Sequence, residues 1–382
     1  MRILYLSADP GVPVLGHKGA SIHLRELANA LHECGATVAI ASPRLSDEGG
    51  RLGGEARLAW IPPVLPKQLT EASVGRAMTE QTDAVVAVAQ EVRADVVYER
   101  FSLFSVAGAR AALRLGVPHL LEVNAPLREE AARFRTLPHP EAAANAEQEV
   151  FMGSATIFSV SEPLAEWVRS RCEARVEVMP NGVDPARFPP PARRRDDRFV
   201  VGFAGSLKPW HGIDVMLDAC RIAMTEHPTL HLEIVGGGPM SVAIHRADLP
   251  AGRLVMHGLV DHTEAIRLMS NWHVGLAPYH DQPRFYFSPL KVLEYMAAAV
   301  CPVASDLGQI RDLLGDGERG VLVRAGDAMA LAQTLAGLVA NPAAAESMAA
   351  AAREHVLRSH TWQANARRVI DLAEALLARR AA

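Results

Sequence analysis

The chain of 382 residues is long enough for two α/β domains, and its hydrophobic content of 49% is sufficient for two buried cores. The formal net charge of −4 gives no reason to expect a nucleic-acid partner. The four cysteines are scattered and form no CxxC pair, so we expect small buried side chains or inert thiols in a reducing compartment.

The sequence contains no segment with the properties of a membrane span or a signal peptide. The apolar run in the opening MRILYLSADPG is too short for a signal, and no small-residue cleavage site follows it. No run of 18 apolar residues occurs in the chain. We therefore expect a cytoplasmic protein that is soluble or at most peripherally bound to a membrane.

The first half of the chain alternates between short apolar runs and amphipathic stretches. Residues 21–34 carry apolar side chains at helical spacing, and Gly35 is a plausible helix end. Strands separated by helical stretches indicate a parallel, doubly wound sheet. The strands predicted in this half are residues 2–6, 37–41, 95–98, 117–123 and 155–159.

Residues 179–198 (MPNGVDPARFPPPARRRDDR) interrupt this alternation with five prolines and a run of charges. Such a composition is typical of a linker between domains. The alternation then restarts, so the second half has the same α/β architecture without a sequence repeat. Strands are predicted at 199–204, 230–235, 254–257, 274–278 and 320–323, and helices at 212–223, 262–269, 328–338 and 361–380.

The segment 287–306 (FSPLKVLEYMAAAVCPVASD) is the most informative part of the sequence. A polar loop is followed by helical spacing from Leu290 and then by an apolar run that predicts a buried parallel strand. The first turn of a helix binds phosphate through its free N–H groups and its positive dipole end. Glu294 lies about one turn further along, where a carboxylate accepts hydrogen bonds from sugar hydroxyls. This spacing suits a nucleotide-sugar.

This loop, helix and strand resemble the donor site of the retaining glycosyltransferases of family 4, and the resemblance covers essentially the whole chain. The family usually carries two glutamates eight positions apart; here the second is Glu294 and the first position holds Tyr286. The resemblance implies the GT-B architecture, with two Rossmann-like, doubly wound domains facing each other across a cleft. It implies an acceptor-binding domain at residues 1–185, a donor-binding domain at 199–360 and a helix at 361–382 that crosses back to the first domain.

The loop after the strand at 199–204 is expected to bind the donor diphosphate. The family usually has an arginine and a lysine there, whereas this chain has Ser206 and His211, with Lys208 between them. We expect Lys208 to supply positive charge together with Lys291, and His211 to donate a hydrogen bond. The alternative is that Lys208 is a solvated loop lysine.

Two further glycine-containing loops are expected near the nucleotide. Gly237 lies in the IVGGGP segment, which either lines the nucleotide by its backbone or forms an ordinary tight turn. Gly258 and Val260 lie in a segment that resembles the family's base-recognition loop. The other expected donor-binding residues are Ser288, Pro289, Leu290, Lys291 and Glu294 in the loop and helix of the segment 287–306.

The first domain supplies further candidates. Gly19 lies where the family has a glycine loop that faces the diphosphate, although a flexible loop is an equal alternative. Asn124 follows a strand and is expected to contact sugar hydroxyls without acting as a base. His17 is expected to approach donor or acceptor, and Glu122 to be a buried structural carboxylate beside Arg100. The catalytic candidates are Glu294, Lys208, Asn124 and His17.

The expected chemistry uses no cofactor and no metal. The sequence contains no DxD and no HExxH, so fixed cations and a helix dipole are expected to stabilise the diphosphate. The resemblance implies front-face substitution with retention, closure about a hinge at residues 180–184 and a UDP- or GDP-sugar donor. The acceptor is expected to be a small molecule, a glycan or a lipid-linked sugar.

Four other functions remain open from the sequence. The same architecture serves nucleotide-sugar epimerases and phosphorylases. The absence of the first glutamate and of both usual cations is also consistent with an inactive nucleotide-sugar-binding subunit. An NAD-dependent dehydrogenase is the weakest alternative, because no loop that leads from a strand into a helix fits the GxGxxG fingerprint; the one run with that spacing, at 315–320, leads into a predicted strand.

Overall fold

The computed structural model of the chain describes residues 1–16, 18–46, 56–190, 197–282 and 285–381. By its internal contacts the chain divides into two compact units. The first unit comprises Met1–Pro180, Tyr286–Ser288 and Trp362–Ala382, and the second comprises Asn181–Phe285 and Pro289–Thr361. The sequence-based boundaries of 1–185, 199–360 and 361–382 differ from this division at the linker and at Tyr286–Ser288. The basic run at 193–195 lies outside the described residues.

The strands follow the predicted alternation closely. Arg57–Trp60 and Val176–Val178 are two strands that the sequence analysis missed, and both are short sheet-edge strands. The strands are β1 Arg2–Ser7, β2 Thr37–Ser42, β3 Arg57–Trp60, β4 Val96–Arg100, β5 His119–Val123, β6 Thr156–Ser159, β7 Val176–Val178, β8 Phe199–Ala204, β9 Leu230–Val235, β10 Leu254–Gly258, β11 Val274–Ala277, β12 Cys301–Ser305 and β13 Val321–Val323.

The helices connect these strands and cover the sheets. They are α1 Gly19–Glu33, α2 Glu71–Glu91, α3 Ala107–Leu115, α4 Leu127–Phe134, α5 Pro140–Met152, α6 Glu162–Arg169, α7 Ile213–Glu226, α8 Ser241–His245, α9 His262–Met269, α10 Leu290–Ala297, α11 Ile310–Leu314, α12 Ala328–Ala340, α13 Pro342–Ser359 and α14 Trp362–Ala381.

The first unit is built on a parallel sheet in the order β3-β2-β1-β4-β5-β6-β7. Its strands are apolar along most of their length, as expected for a parallel sheet that helices cover on both faces. The terminal helix α14 packs against α1. The rings of His23 and Trp362 lie 4.7 Å apart, and Gln363 donates a hydrogen bond to Glu33 at 2.9 Å.

The second unit is built on a parallel sheet in the order β10-β9-β8-β11-β12-β13. Helices α7 and α12 pack together on this sheet, and α10 packs against α13. The order of the strands reverses between β8 and β11, and ligands bind at such switch points outside the carboxyl ends of the strands. The loops that follow β8 and β11 therefore lie where a ligand site is expected.

The prediction of buried cysteines is confirmed in part, and the search for membrane spans finds one bent pair of helices. All four cysteines are free; Cys220 and Cys301 are buried as expected, but Cys34 and Cys172 are only partly buried. Among the described residues no single helix is both long and apolar enough to cross a bilayer. Length and composition suffice only for α12 and α13 taken together, and this pair is bent by 101°.

Candidate functional site

Three loops of the second unit meet at the carboxyl edge of its sheet and are held together by backbone hydrogen bonds. The N–H of Gly205, after β8, donates to the carbonyl of Val235 at 2.9 Å, and the N–H of Leu207 donates to Gly237 at 3.0 Å. The N–H of Gly236, after β9, donates to the carbonyl of Gly258 at 2.8 Å. The loops that the sequence analysis assigned to diphosphate and base are therefore brought together.

Glycine is required at Gly236 because two backbones approach closely there. Gly236 has a φ of +134°, and a Cβ added to it would lie 1.9 Å from the carbonyl oxygen of Gly205. A Cβ on Gly237 would instead meet only the side chain of Leu259, at 3.1 Å. Packing thus explains Gly236, whereas the nucleotide-lining role of Gly237 stays a prediction.

Helix α10 is fixed to the sheet by Tyr295. The Tyr295 hydroxyl accepts a hydrogen bond from the N–H of Ala204 at 2.9 Å and donates to the carbonyl of Leu276 at 3.1 Å. Gly275 is paired with Gly202 on the neighbouring strand, and a Cβ on Gly275 would overlap the Tyr295 ring at 2.5 Å. The missing side chain lets the ring lie on the strand, which sets where Lys291 and Glu294 lie.

Lys291, in the first turn of α10, is buried, and no carboxylate of the described residues forms an ion pair with it. Its side chain is 9% exposed, and its Nζ atom has no hydrogen-bond partner among the described residues. The Nζ atom lies 3.8 Å from the centroid of the Phe203 ring and 5.5 Å from that of Tyr279. Burial lowers the pKa of Lys291 to about 7, against a smaller raising effect of Glu294. An ammonium in this state is suited to meet an anionic ligand.

Glu294 is held by a histidine from another helix. Nε2 of His262, the first residue of α9, lies 2.7 Å from Oε1 of Glu294, and the two side chains are 11% and 12% exposed. Nδ1 of His262 is buried without a hydrogen-bond partner among the described residues. A carboxylate oxygen can only accept, so Nε2 carries a proton and donates it to Glu294. The second carboxylate oxygen is left to accept a hydroxyl hydrogen bond.

The sequence predicts that His211 donates a hydrogen bond to the diphosphate, but in the structure its ring proton is directed to a backbone carbonyl. Its Nδ1 lies 2.5 Å from the carbonyl oxygen of Ser206, so Nδ1 carries the proton and donates to that carbonyl. Burial, assisted by the charges of Lys291 and Lys208, lowers the pKa of His211 to about 3. The ring is therefore neutral at physiological pH, and its Nε2 is an acceptor. Donation of a hydrogen bond from Nε2 to a diphosphate would require protonation of the ring at that nitrogen.

Lys208 lies on the same loop and is half-buried. Its Nζ is 5.8 Å from the centroid of the exposed Trp210 ring, and no carboxylate pairs with it among the described residues. Ser206 is exposed on this loop. The positions of Lys208 and Ser206 are compatible with the predicted contacts, which stay predictions. The base loop is also open, since Leu259, between Gly258 and Val260, is 78% exposed.

Helix α10 begins at Leu290, where the helical spacing of the sequence predicts it. Pro289 is the cap residue and Leu290 is the first helical residue, so Leu290 and Lys291 begin the turn whose N–H groups lack intrahelical partners. Ser288 belongs by its contacts to the first unit. Its predicted phosphate contact, like those of Pro289 and Leu290, stays a prediction.

Tyr286, at the position of the first glutamate, has a structural environment within the first unit. Its hydroxyl donates to Glu130, its carbonyl accepts from Ser161 at 2.7 Å, and it is 9% exposed. Burial raises the pKa of the Tyr286 hydroxyl. The side chain packs with Phe151 and Trp167 in an apolar cluster. It therefore cannot replace the charge of a carboxylate.

Glu122 in the first unit is a buried structural carboxylate, as expected. It accepts hydrogen bonds from His23 at 2.9 Å, from Tyr98 at 2.6 Å and from Arg100 at 2.9 Å. These partners keep the pKa of Glu122 low although burial opposes this. The amide of Asn124 also donates to Glu122. Asn124 is thus oriented by this cluster, and its predicted contact with a sugar hydroxyl stays a prediction.

Glu99, near the end of β4, is internal. Its carboxylate accepts from Ser105 at 2.9 Å and lies 2.9 Å from Nε2 of His119. Adjacent strand residues point to opposite faces of the sheet, so Glu99 and Arg100 cannot share one direction. Gly19 is the first residue of α1, and a Cβ added there would meet nothing within 4 Å. His17 lies outside the described residues.

Three contributors to this site were not predicted from the sequence. His262, Phe203 and Tyr279 contact Glu294 or Lys291 from other elements. The sequence offered one signal for His262, which follows the expected base-recognition loop and a helix-capping aspartate. In the structure this aspartate, Asp261, accepts a hydrogen bond from the N–H of Glu264 at 2.8 Å and caps α9. Among the described residues no three His, Cys, Asp or Glu side chains form a group suited to a metal ion. The arrangement can bind an anion and a hydroxyl.

Two family models match the chain. The model described as Glycosyltransferase Family 4 matches residues 17–187, and the model described as Glycosyl transferases group 1 matches residues 198–341. The two matches lie one after the other, so together they account for the first and the second half of the chain.

Curated relatives agree with these matches. The glycogen synthase of Mycobacterium tuberculosis (strain ATCC 25618 / H37Rv) is 31% identical over 197 residues, which are 50% of this chain and 46% of the relative. The chain thus spans about half the length of that relative. The D-inositol 3-phosphate glycosyltransferase of Thermobispora bispora is 27% identical over 337 residues, covering 81% of this chain and 75% of the relative.

Solved structures share the fold over the whole chain. Sucrose-phosphate synthase from Thermosynechococcus elongatus matches with a TM-score of 0.76 and 20% identity, covering 99% of each chain. Anabaena Alr3699/HepE in complex with UDP-glucose matches with a TM-score of 0.71 and 18% identity, covering 98% of this chain and 100% of that one. With its two parallel-sheet units of GT-B type and both family models matched in order, this chain belongs to glycosyltransferase family 4, the group 1 glycosyl transferases.

Proposed function

We propose that this chain is a retaining, metal-independent glycosyltransferase that moves a sugar from a nucleotide-diphosphate sugar to an acceptor hydroxyl. The observation that carries the proposal is the environment of α10. Lys291, whose Nζ has no hydrogen-bond partner in the described part of the chain, and the hydroxyl acceptor Glu294 lie three residues apart on this helix, at the switch point of a parallel sheet. The anionic diphosphate of a nucleotide-sugar suits the ammonium, and its ribose hydroxyls suit the carboxylate.

The donor contacts follow from this arrangement. The diphosphate lies against the first turn of α10 and the loop at Gly205, where Lys291 and Lys208 neutralise its charge. The ribose hydroxyls donate to the carboxylate oxygen of Glu294 that His262 leaves free. Backbone groups at Gly237 and Gly258 contact the base. The complexes of Alr3699/HepE with UDP and UDP-glucose support a donor of this class.

The chemistry that we propose is front-face substitution. Glu294 acts as a hydroxyl acceptor, so we assign no enzymatic nucleophile, and the leaving phosphate takes the proton of the acceptor hydroxyl. The bond between the anomeric carbon and the phosphate oxygen breaks while the acceptor oxygen bonds to the same face, which retains configuration. Lys291, Lys208 and the dipole of α10 stabilise the leaving diphosphate, which a bound metal ion does in metal-dependent glycosyltransferases. We assign the acceptor contacts to the first unit, with Asn124 as the candidate.

Thermal unfolding with UDP, GDP, ADP, dTDP and NAD is the first test. A nucleotide at one hundred times its Kd adds about 2.7 kcal/mol to the free energy of unfolding. Stabilisation by one nucleoside diphosphate supports the proposal and identifies the base. Stabilisation by NAD alone contradicts it.

Product analysis with the matching nucleotide-sugar separates the remaining functions. A transferase consumes the donor only with an acceptor, an epimerase converts the donor alone, and an inactive subunit binds without turnover. In the transferase, Glu294→Ala should lower kcat/KM by about a hundredfold or more, because ribose contacts position the reacting centre. Near-normal turnover of Glu294→Ala would contradict the site assignment.

A further inference from the structure

The buried ammonium of Lys291 has an unusual set of neighbours. It lies over the face of the Phe203 ring at 3.8 Å, with Tyr279 at 5.5 Å, and both rings are almost fully buried. On the loop after β8, a Cβ added to Gly205 would lie 3.2 Å from Nζ. Ring faces stabilise a cation only modestly, and no oxygen accepts from Nζ among the described residues.

The charged and titratable groups around Lys291 do not neutralise it. Glu294 on α10 raises the proton affinity of Lys291, but its carboxylate is engaged by His262 on α9. His211 on the loop after β8 is neutral, and the Tyr279 and Tyr295 hydroxyls have raised pKa values because they are buried. A buried charge without a partner is costly, so such a group readily gives up its proton.

We propose that Lys291 is largely uncharged in the ligand-free protein at mildly alkaline pH and takes up one proton from solvent when the diphosphate of a nucleotide-sugar binds. This inference rests on the proposed function, since it requires a diphosphate at the loop of Gly205 and α10. The bound diphosphate brings negative charge next to a buried amine, which favours the ammonium form. Donor binding is thereby coupled to proton uptake at one residue.

The direction of the linkage follows from the lowered pKa of Lys291, about 7 in the ligand-free protein. Below that pH the amine is already charged and binding takes up no proton. Above it, binding must also recruit a proton, so the Kd of the donor should rise by about tenfold per pH unit. His211 is a weaker source of uptake, because its pKa of about 3 would have to rise by several units.

Calorimetric titration of the full chain tests the proposal, with UDP-glucose and GDP-mannose as probes. Neither probe has a phosphate group that titrates near neutral pH. Each titration is run in buffers of low and high ionisation enthalpy, and the difference in the observed enthalpies gives the protons taken up. We expect an uptake that approaches one proton at about pH 8 and falls toward zero at about pH 6.

Two variants assign the proton. Lys291→Arg keeps a permanent charge, so its uptake should vanish and its Kd should become independent of pH. Lys291→Met should lose uptake together with most of the affinity. Binding of a probe by the wild type without uptake at pH 8 would overturn this inference alone, as would uptake that persists in Lys291→Arg. Binding of neither probe at any pH would overturn the proposed function, and the inference with it.

Discussion

His262 orients Glu294: its Nε2 lies 2.7 Å from one carboxylate oxygen, and its other ring nitrogen is buried without a partner among the described residues. The histidine begins α9 and the glutamate lies inside α10, so the pair joins two helices at the carboxyl edge of the sheet. Because only Nε2 has a partner, the ring has one favourable orientation and one favourable tautomer. The free oxygen of Glu294 is thereby directed away from His262.

Removal of this hydrogen bond should weaken donor use more than it weakens the fold. A hydrogen bond to a charged group contributes about 1.5–3 kcal/mol, so His262→Ala should lower kcat/KM for the nucleotide-sugar by about tenfold to a hundredfold. His262→Gln, whose amide can still donate, should recover part of this loss. Steady-state kinetics and unfolding temperatures are measured for both variants. Equal kinetics for the two variants would show that the hydrogen bond does not orient Glu294.

The buried amine of Lys291 should make the stability of the second unit depend on pH. The pKa is about 7 in the folded state, below the ordinary lysine value of 10.5, so between these values the unfolded chain binds more protons. The free energy of unfolding therefore rises with pH through this window, and the full cost of the buried charge is present below about pH 7.

Lys291→Met removes that cost. The gain in free energy of unfolding that Lys291→Met causes should be about 2 kcal/mol larger at pH 6 than at pH 9. This difference corresponds to about 4–8 °C in the unfolding temperature. Thermal unfolding of ligand-free wild type and variant at both pH values checks this. Lys208→Met, on the loop after β8, serves as a control, since Lys208 is only half-buried. A pH-independent difference for Lys291→Met would contradict a buried amine of lowered pKa.

Gly236 and Gly237 form a matched pair for the backbone contact at the sheet edge. A Cβ on Gly236 would lie 1.9 Å from the carbonyl oxygen of Gly205, and its φ is +134°. Gly236→Ala should therefore cost about 3 kcal/mol or more in the free energy of unfolding. Gly237→Ala should cost less than about 1 kcal/mol, since only the Leu259 side chain must move. Denaturant unfolding that ranks the two variants equally would contradict this loop geometry.

Gly19 offers a test of function without a structural cost. A Cβ there meets nothing within 4 Å, and the residue begins α1, so Gly19→Ala should leave stability unchanged or raise it by up to about 1 kcal/mol. If Gly19 faces the diphosphate, the same variant should raise the KM for the donor by about tenfold. Gly108→Ala is the structural control, because its Cβ would lie 2.2 Å from Glu99. An unchanged KM for Gly19→Ala would remove Gly19 from the donor site.

The sequence by itself determined the elements and the motif. Alternating apolar runs and helical spacing predicted the strands at 199–204 and 230–235 to the residue, because hydrophobic period is a local property. The segment 287–306 likewise predicted a helix that carries Lys291 and Glu294. The burial of Glu122 beside Arg100 also followed from strand ends and was confirmed.

Only the tertiary structure decided which side chains meet. His262 contacts Glu294, and the Nζ of Lys291 lies over the ring of Phe203. Tyr286 is close in sequence to the donor-site helix but packs in an apolar cluster of the first unit. Each contact joins elements that are distant in sequence, and no local period records it. The proton on His211 depends on the conformation of its own loop, since the carbonyl of Ser206 fixes its tautomer. Local pattern specifies elements, whereas partners and protonation depend on how those elements pack.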